Sequence, residues 1–172
     1  MIIRRATYND IDSILSIVRS AQLSLAELCI DQWQDGYPSE AIIRDDIANG
    51  VGYVATEGVA ILGYEAIVLS GEEAYRQIAD DKWHTPNDYV VVHRLCVLRG
   101  SLRRGVAIEL MRYAANVARE HDIVSFRVDT HKGNIRMLSL LDMLSFEHVG
   151  LIRYESGERE AFDLKLMLSN ML

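Results

Sequence analysis

Val90-Val91-Val92-His93-Arg94-Leu95-Cys96-Val97-Leu98 runs into Arg99-Gly100-Ser101-Leu102-Arg103-Arg104-Gly105 and then Val106-Ala107, and this stretch decides how the chain is read. Tyr89 to Leu98 has the Val and Leu density of a strand buried on both faces, which places it inside a sheet. A helix opens near Gly105, with Val106, Ile108, Leu110, Met111, Ala114 and Val117 as its apolar side. The first N–H groups of a helix have no partner within it, and the helix dipole concentrates positive potential there, so a helix start after a glycine-bearing loop makes an anion site. Arg103 and Arg104 add full charges, and Gly105 allows close approach to the main chain or a positive φ. A pyrophosphate fits such a place.

Working outward, Ile2 to Ala6 reads as a short strand, with Thr7 and Asp10 as an N-cap and a first-turn acid. Ile14, Leu15, Ile17, Val18, Ala21, Leu25 and Leu28 recur at helical spacing. Asp35-Gly36-Tyr37-Pro38 breaks the chain, and Ser39 caps a second helix that ends at Asn49-Gly50. Gly52 to Thr56 and Val59 to Leu69 form a hairpin around Glu57-Gly58, and a polar, helical excursion is expected from Gly71 to Asp88. Beyond the central strand and its helix, Val124 to Asp129 is a strand, Asn134 to Leu144 a short helix, and Glu147 to Tyr154 with Ala161 to Met167 a closing strand pair around Ser156-Gly157. The order β-α-α-β-β-β-α-β-α-β-β predicts an α/β (α+β) fold, a mixed sheet of about six to seven strands with helices on both faces.

The 172 residues, 49% apolar and 25% charged, suit one compact domain over residues 1–172 with a full core. No repeat, low-complexity tract or Ser/Gly-rich linker interrupts it. The start, Met1-Ile2-Ile3-Arg4-Arg5, lacks the order of a secretory signal, and no apolar run approaches the roughly 20 residues that span a bilayer. Cys29 and Cys96 lack metal-ligand spacing and are too few for a disulfide scaffold, so reduced thiols in a cytoplasm are expected. A formal charge of −7 repels a phosphate backbone, so nucleic acid is not an expected partner and a cationic small molecule is compatible.

Leu102-Arg103-Arg104-Gly105-Val106-Ala107 resembles the acetyl-CoA motif of the GNAT acetyltransferases, Arg/Gln-x-x-Gly-x-Gly/Ala, between the fourth strand and third helix; Gly105 and Ala107 match and Leu102 departs. Leu95-Cys96-Val97 is similar to the family's pantetheine-pairing strand, Asn134 falls where the family's Asn follows the next strand, and Met137 and Phe146 keep the spacing of the following helix. The resemblance covers Ile2 to Met167 and implies a mostly antiparallel sheet splayed between its fourth and fifth strands. It also implies transfer of an acetyl group from acetyl-CoA to a primary amine by direct attack in a ternary complex, with no metal. The implied cofactor-binding residues are Leu95, Cys96, Val97, Leu102, Arg103, Arg104, Gly105, Val106, Ala107 and Asn134. The acceptor is a small-molecule amine or a peptide or protein amine. No membrane partner is expected, and a homodimer is compatible.

By the same resemblance, the Val97 N–H polarises the thioester carbonyl as a one-donor oxyanion hole. His93, four residues earlier and of the same strand parity, is the candidate general base, because an amine of pKa near ~10 must lose a proton before it attacks. The alternative for His93 is a core or edge histidine beside Arg94. The family's acid, a tyrosine, aligns with Leu141, which has no proton to give; water, Ser139 or Tyr154 are the substitutes. Trp33 and Tyr37, in the loop that walls the family's acceptor pocket, are the expected substrate-binding residues, ahead of Tyr64, Trp83 and His84.

Several residues have plainer readings. Cys96 is expected to be an inert buried thiol, Asp129, His131 and Asn134 match no zinc spacing, and Glu72, Glu73, Asp80 and Asp81 read as a solvated face. Two rival functions stand beside the enzyme: a non-catalytic acyl-CoA sensor on the same fold, motivated by Leu102 and Leu141, and a protein that binds another phosphate-bearing ligand at the helix start.

Overall fold

The structure, a computed structural model, describes residues 1–69, 71–86 and 88–167. Its elements follow the predicted order: β1 (Ile2–Arg5), α1 (Ile11–Glu27), α2 (Glu40–Ala48), β2 (Gly52–Glu57), β3 (Ala60–Leu69), β4 (Val90–Val97), α3 (Val106–Glu120), β5 (Ser125–Thr130), α4 (Ile135–Met143), β6 (Glu147–Tyr154) and β7 (Gly157–Lys165). The sheet has seven strands in the order β1-β2-β3-β4-β5-β7-β6. β4 and β5 run parallel, whereas β1-β2, β2-β3, β5-β7 and β6-β7 are antiparallel, so the mixed sheet is the one expected. Among the described residues no helix is long and apolar enough to cross a membrane. The chain divides into two compact units, residues 1–67 with 92–111, and the described part of residues 68–91 and 112–172.

In the first unit the entry to α1 is fixed by charge. Asp10 accepts from both the N–H and the hydroxyl of Thr7, at 2.8 and 2.9 Å, and from Arg4 at 2.7 and 2.8 Å. Those three partners hold its carboxyl down at about 2, with the Arg4 hydrogen bond the largest cause. Ser39 caps α2 as expected, its Oγ accepting from the Ile42 N–H at 3.4 Å. Successive strand residues point to opposite faces, and the packing follows that rule. Val54 joins Ile14, Ile17 and Val18 of α1 and Ile43 of α2, whereas the next residue, Ala55, joins Leu62 and Val106 and Leu110 of α3. Helices therefore cover both faces of these strands.

In the second unit β5, β7 and β6 form a continuous antiparallel array. The expected helix between Gly71 and Asp88 is not formed: the described part of that segment makes two 3-10 turns, Glu73–Gln77 and Asp80–Lys82. Side-chain anchors shape it instead of a periodic backbone. Tyr75, Ile78 and Trp83 are buried against Val91, Ile152 and Ala161, and the Tyr75 ring lies 5.2 Å from Trp83 and 5.7 Å from Tyr89. The segment is thus less polar in effect than its charges suggest. β7 also starts at Gly157, four residues before the expected Ala161, because Gly157 takes φ +111 and pairs with Tyr154, and the Arg153–Glu158 ion pair, 2.9 Å, joins the strands beside the turn.

Candidate active site

β4 ends at Val97, and the Leu98 N–H donates to the Leu62 carbonyl of β3 at 2.8 Å. Since N–H groups alternate in direction along a strand, the Val97 N–H points away from β3. On that side the parallel ladder is short: Val90 pairs with Phe126 and Val91 with Arg127, and no further pair with β5 is found among the described residues. The side chains of Leu95 and Val97 pack with Val106 and Leu110, while Cys96 packs with α1. Burial pushes the Cys96 thiol up to about 12, so it is the inert hydrophobe expected.

A 3-10 turn at Arg99–Ser101 leads to α3 through Arg103 at φ +62 and Gly105 at φ +79, left-handed conformations on either side of Arg104. The first bond of α3 runs from the Glu109 N–H to the Gly105 carbonyl, 3.0 Å. The N–H groups of Gly105, Val106, Ala107 and Ile108 accordingly have no protein acceptor among the described residues. A side chain built at Gly105 would meet nothing within 4 Å, so the space beside Gly105 is open. The two arginines differ, contrary to the expectation that both lend free charge. Arg104 is paired to Glu57 at 2.7 Å, whereas Arg103 is exposed and without an ion pair among the described residues. Leu102 is exposed beside them.

His93 is half-buried, and burial together with the neighbouring Arg94 pushes its imidazole down to about 4, so it is neutral at neutral pH. Arg94 stands at φ +59, outside the extended region, and such a residue interrupts the two-residue alternation between His93 and Val97.

Trp33 and Tyr37 do come together, their rings 6.2 Å apart. Trp33 packs against the α1 core, and the Tyr37 hydroxyl accepts from Arg94 Nη1 at 2.7 Å. Tyr64 is a core residue whose hydroxyl donates to Asp46 at 2.6 Å, not a cleft residue. Sequence reasoning missed Arg94 and Asp46. The available signal was an arginine set within a run of Val and Leu, because a charge in a buried strand requires a partner.

The remaining candidates lie in the second unit. Asn134 caps α4, its Oδ1 accepting from the Met137 N–H at 3.3 Å and its Nδ2 donating to Thr130 Oγ1 at 3.2 Å. Leu141 is fully buried and Ser139 exposed. Trp83 stacks on Arg127, and the His84 N–H donates to Asp163 at 2.7 Å, so both serve packing. Asp129 was set aside in the sequence, yet it accepts from Tyr75 at 3.1 Å and from Tyr154 at 3.2 Å, and burial pushes its carboxyl up to about 6. Its neighbour His131 accepts from the Gly133 N–H, and no cluster of metal-ligand residues occurs among the described residues.

A family model described as "Acetyltransferase (GNAT) family" matches residues 19–146. By sequence, no curated protein matches the chain. Among solved structures, it is similar to an acetyltransferase of the GNAT family from Streptococcus agalactiae, at 32% identity over 95% of this chain and 94% of that one, with a TM-score of 0.85. The fold is shared with the PaiA N-acetyltransferase of Thermoplasma acidophilum in complex with coenzyme A, at 16% identity over 95% and 98% of the two chains and a TM-score of 0.71. It is also shared with the ribosomal-protein-alanine N-acetyltransferase of Brucella melitensis, at 16% identity over 96% and 100% and a TM-score of 0.70.

Proposed function

Since the chain belongs to the GNAT acetyltransferase family, we propose that it is an N-acetyltransferase that moves an acetyl group from acetyl-CoA to a primary amine. The observation that carries this reading is the row of amides at residues 105–108 without a protein acceptor among the described residues, with open space beside Gly105 and with Arg103, which has no ion pair among the described residues, next to it. These groups fit a diphosphate: they supply hydrogen-bond donors and positive charge. Acetyl-CoA, when bound, supplies the activated acyl carbon. We take residues 1–172 as one catalytic domain because the family match runs through both units, and we place it in the cytoplasm because both cysteines are free thiols.

The chain's own residues would act as follows. The Val97 N–H, directed away from β3, donates to the thioester oxygen as negative charge develops there. The amine nitrogen forms the new C–N bond, the C–S bond breaks, and the sulfur leaves as a thiolate. With Leu141 in the core, no side chain at that position protonates the thiolate, whose ordinary pKa near ~8.5 lets it leave without help. His93 accepts the ammonium proton.

The test is release of free CoA, read with a thiol reagent, from acetyl-CoA and a panel of aliphatic, aromatic and peptide amines. Amine-dependent release that disappears in Gly105→Glu supports the enzyme. CoA binding in a calorimeter with no release from any amine would leave the sensor reading in its place. Failure of CoA to bind would remove both.

A further inference from the structure

Arg94 is the least expected residue of β4. It is a long cation in a run of apolar side chains, it has no glycine's freedom, and it nevertheless stands at φ +59. Conformations of that kind persist where the surroundings over-determine them. Here the surroundings are a carboxylate and a phenol. Arg94 Nε donates to Asp46 Oδ2 at 2.8 Å and Nη2 to Asp46 Oδ1 at 2.6 Å, the fork-to-fork geometry that fixes direction as well as distance. The pair is nearly out of solvent, with 11% of the Arg94 side chain and 7% of the Asp46 side chain exposed. Tyr64, itself fully buried, donates to Asp46 Oδ2 at 2.6 Å and holds the carboxylate from the other side.

That arrangement leaves Arg94 Nη1 to donate to the Tyr37 hydroxyl, 2.7 Å away. Tyr37 sits in the loop between α1 and α2, where its carbonyl accepts from Gln22 at 2.9 Å and its N–H donates to Asp35 at 3.2 Å. The loop otherwise rests on Trp33, which packs on the α1 core and lies 6.2 Å from the Tyr37 ring. A short loop is thus tied to the central strand by a cation whose own position is set by α2 and β3. All of these residues belong to the first unit.

We infer that Arg94 is a positioning residue for the acyl acceptor: clamped by Asp46, it seats Tyr37 and with it the α1–α2 loop against β4, so that acceptor binding depends on a guanidinium that does not itself touch the diphosphate site. This rests on the acyltransferase reading given above. Arginine is suited to the task because it stays charged at any working pH and presents its donors in one plane; lysine offers a point charge and cannot hold Asp46 and Tyr37 together.

The experiment compares Arg94→Met, Arg94→Lys, Tyr37→Phe, the double variant Arg94→Met/Tyr37→Phe, and the charge-neutral Arg94→Met/Asp46→Asn, which leaves no buried carboxylate unpaired. CoA binding is measured by calorimetry. Amine kinetics use spermidine, phenethylamine and Ala-Gly-Gly as probes, the one turned over fastest carrying the comparison. Arg94→Met and the charge-neutral variant should raise the amine KM tenfold or more while the CoA dissociation constant moves less than threefold. Arg94→Lys should recover part of the loss, and the double variant should be no worse than Arg94→Met alone. An unchanged amine KM in the charge-neutral variant, or strictly additive effects of the Arg94 and Tyr37 changes, overturns the inference. Hydrogen exchange of residues 31–39 separates it from the function itself. Were the wild type to release no CoA, the enzyme reading would fail, while tenfold faster exchange in the charge-neutral variant would still support the clamp and unchanged exchange would overturn it.

Discussion

Gly63 of β3 and Leu110 of α3 are so close that a methyl group at position 63 would lie 3.0 Å from Leu110 Cδ1, and equally 3.0 Å from Val106 Cγ1 and the Cys96 carbonyl. The helix whose start we propose as the diphosphate site therefore rests directly on bare main chain. Gly63→Ala should push the start of α3 outward, costing about 1–3 kcal/mol of stability. CoA affinity should fall by more than the affinity change in an equally destabilised variant elsewhere. Denaturant unfolding with CoA calorimetry checks this, and unaltered stability would mean that the helix start yields freely.

Gly105 differs from Gly63 in being bound by conformation, not by crowding, since its φ of +79 is combined with open space. Gly105→Asn, which tolerates the left-handed region, should retain CoA binding within about tenfold. Gly105→Glu should abolish it by adding negative charge before the amides. Equal loss in both variants would assign the effect to backbone strain instead of charge.

The proton-accepting group can be read from the pH dependence of kcat at saturating amine. If His93 acts, the acid limb falls near pH 4, where burial and Arg94 place its imidazole, and His93→Ala lowers kcat about a hundredfold or more with CoA affinity unchanged. An acid limb well above pH 4, or turnover unchanged in His93→Ala, would remove His93 from this role.

Glu65 is fully buried on β3, and neither of its oxygens has a hydrogen-bond partner among the described residues. Burial pushes its carboxyl up to about 8, above the ordinary value that it regains on unfolding. The folded chain then holds a proton that the unfolded chain releases, so stability is full below about pH 4.5 and declines as pH rises to about 8, by up to about 1.4 kcal/mol per pH unit. Glu65→Met should flatten that decline and exceed the wild type at pH 8. Parallel stability curves for the two proteins would show the carboxyl to be neutralised by other means.

Arg127 of β5 lies between aromatic rings, 4.1 Å from the centroid of Trp83 and 4.0 Å from that of Tyr89, and donates to the Thr85 carbonyl at 2.6 Å. It is the pin of the segment between β3 and β4. Arg127→Met should destabilise the protein by about 1–3 kcal/mol, because the Thr85 carbonyl and the Ser125 hydroxyl lose their buried donor. It should also open residues 71–86 to limited proteolysis. Cleavage elsewhere in preference would locate the weakness outside this segment.

Much of this molecule was legible without coordinates because its signals are local. Apolar periodicity gave α1 and α3, Ser39 and Thr7 marked helix starts, and the Val-rich run before Gly105 gave β4. Where a segment is held by distant side chains, local reading failed: the 71–86 stretch has the charge of a surface helix but is shaped by Tyr75, Trp83 and Arg127. The same reason explains His93, whose relation to Val97 depends on a positive φ at Arg94 that no pattern of residue types announces.

The sequence alone determined the element order, the glycine-bearing turn into α3 and the chemistry of the amides that follow, since each depends on residues within a few positions of one another. Only tertiary structure decided which charges are free and how burial shifts the titratable groups. Arg104 is neutralised by Glu57, 47 positions away, Arg94 by Asp46, 48 positions away, and Asp129 is buried under Tyr75 and Tyr154. A charge's energy depends on what surrounds it in space, and that is settled only when distant parts of the chain have packed.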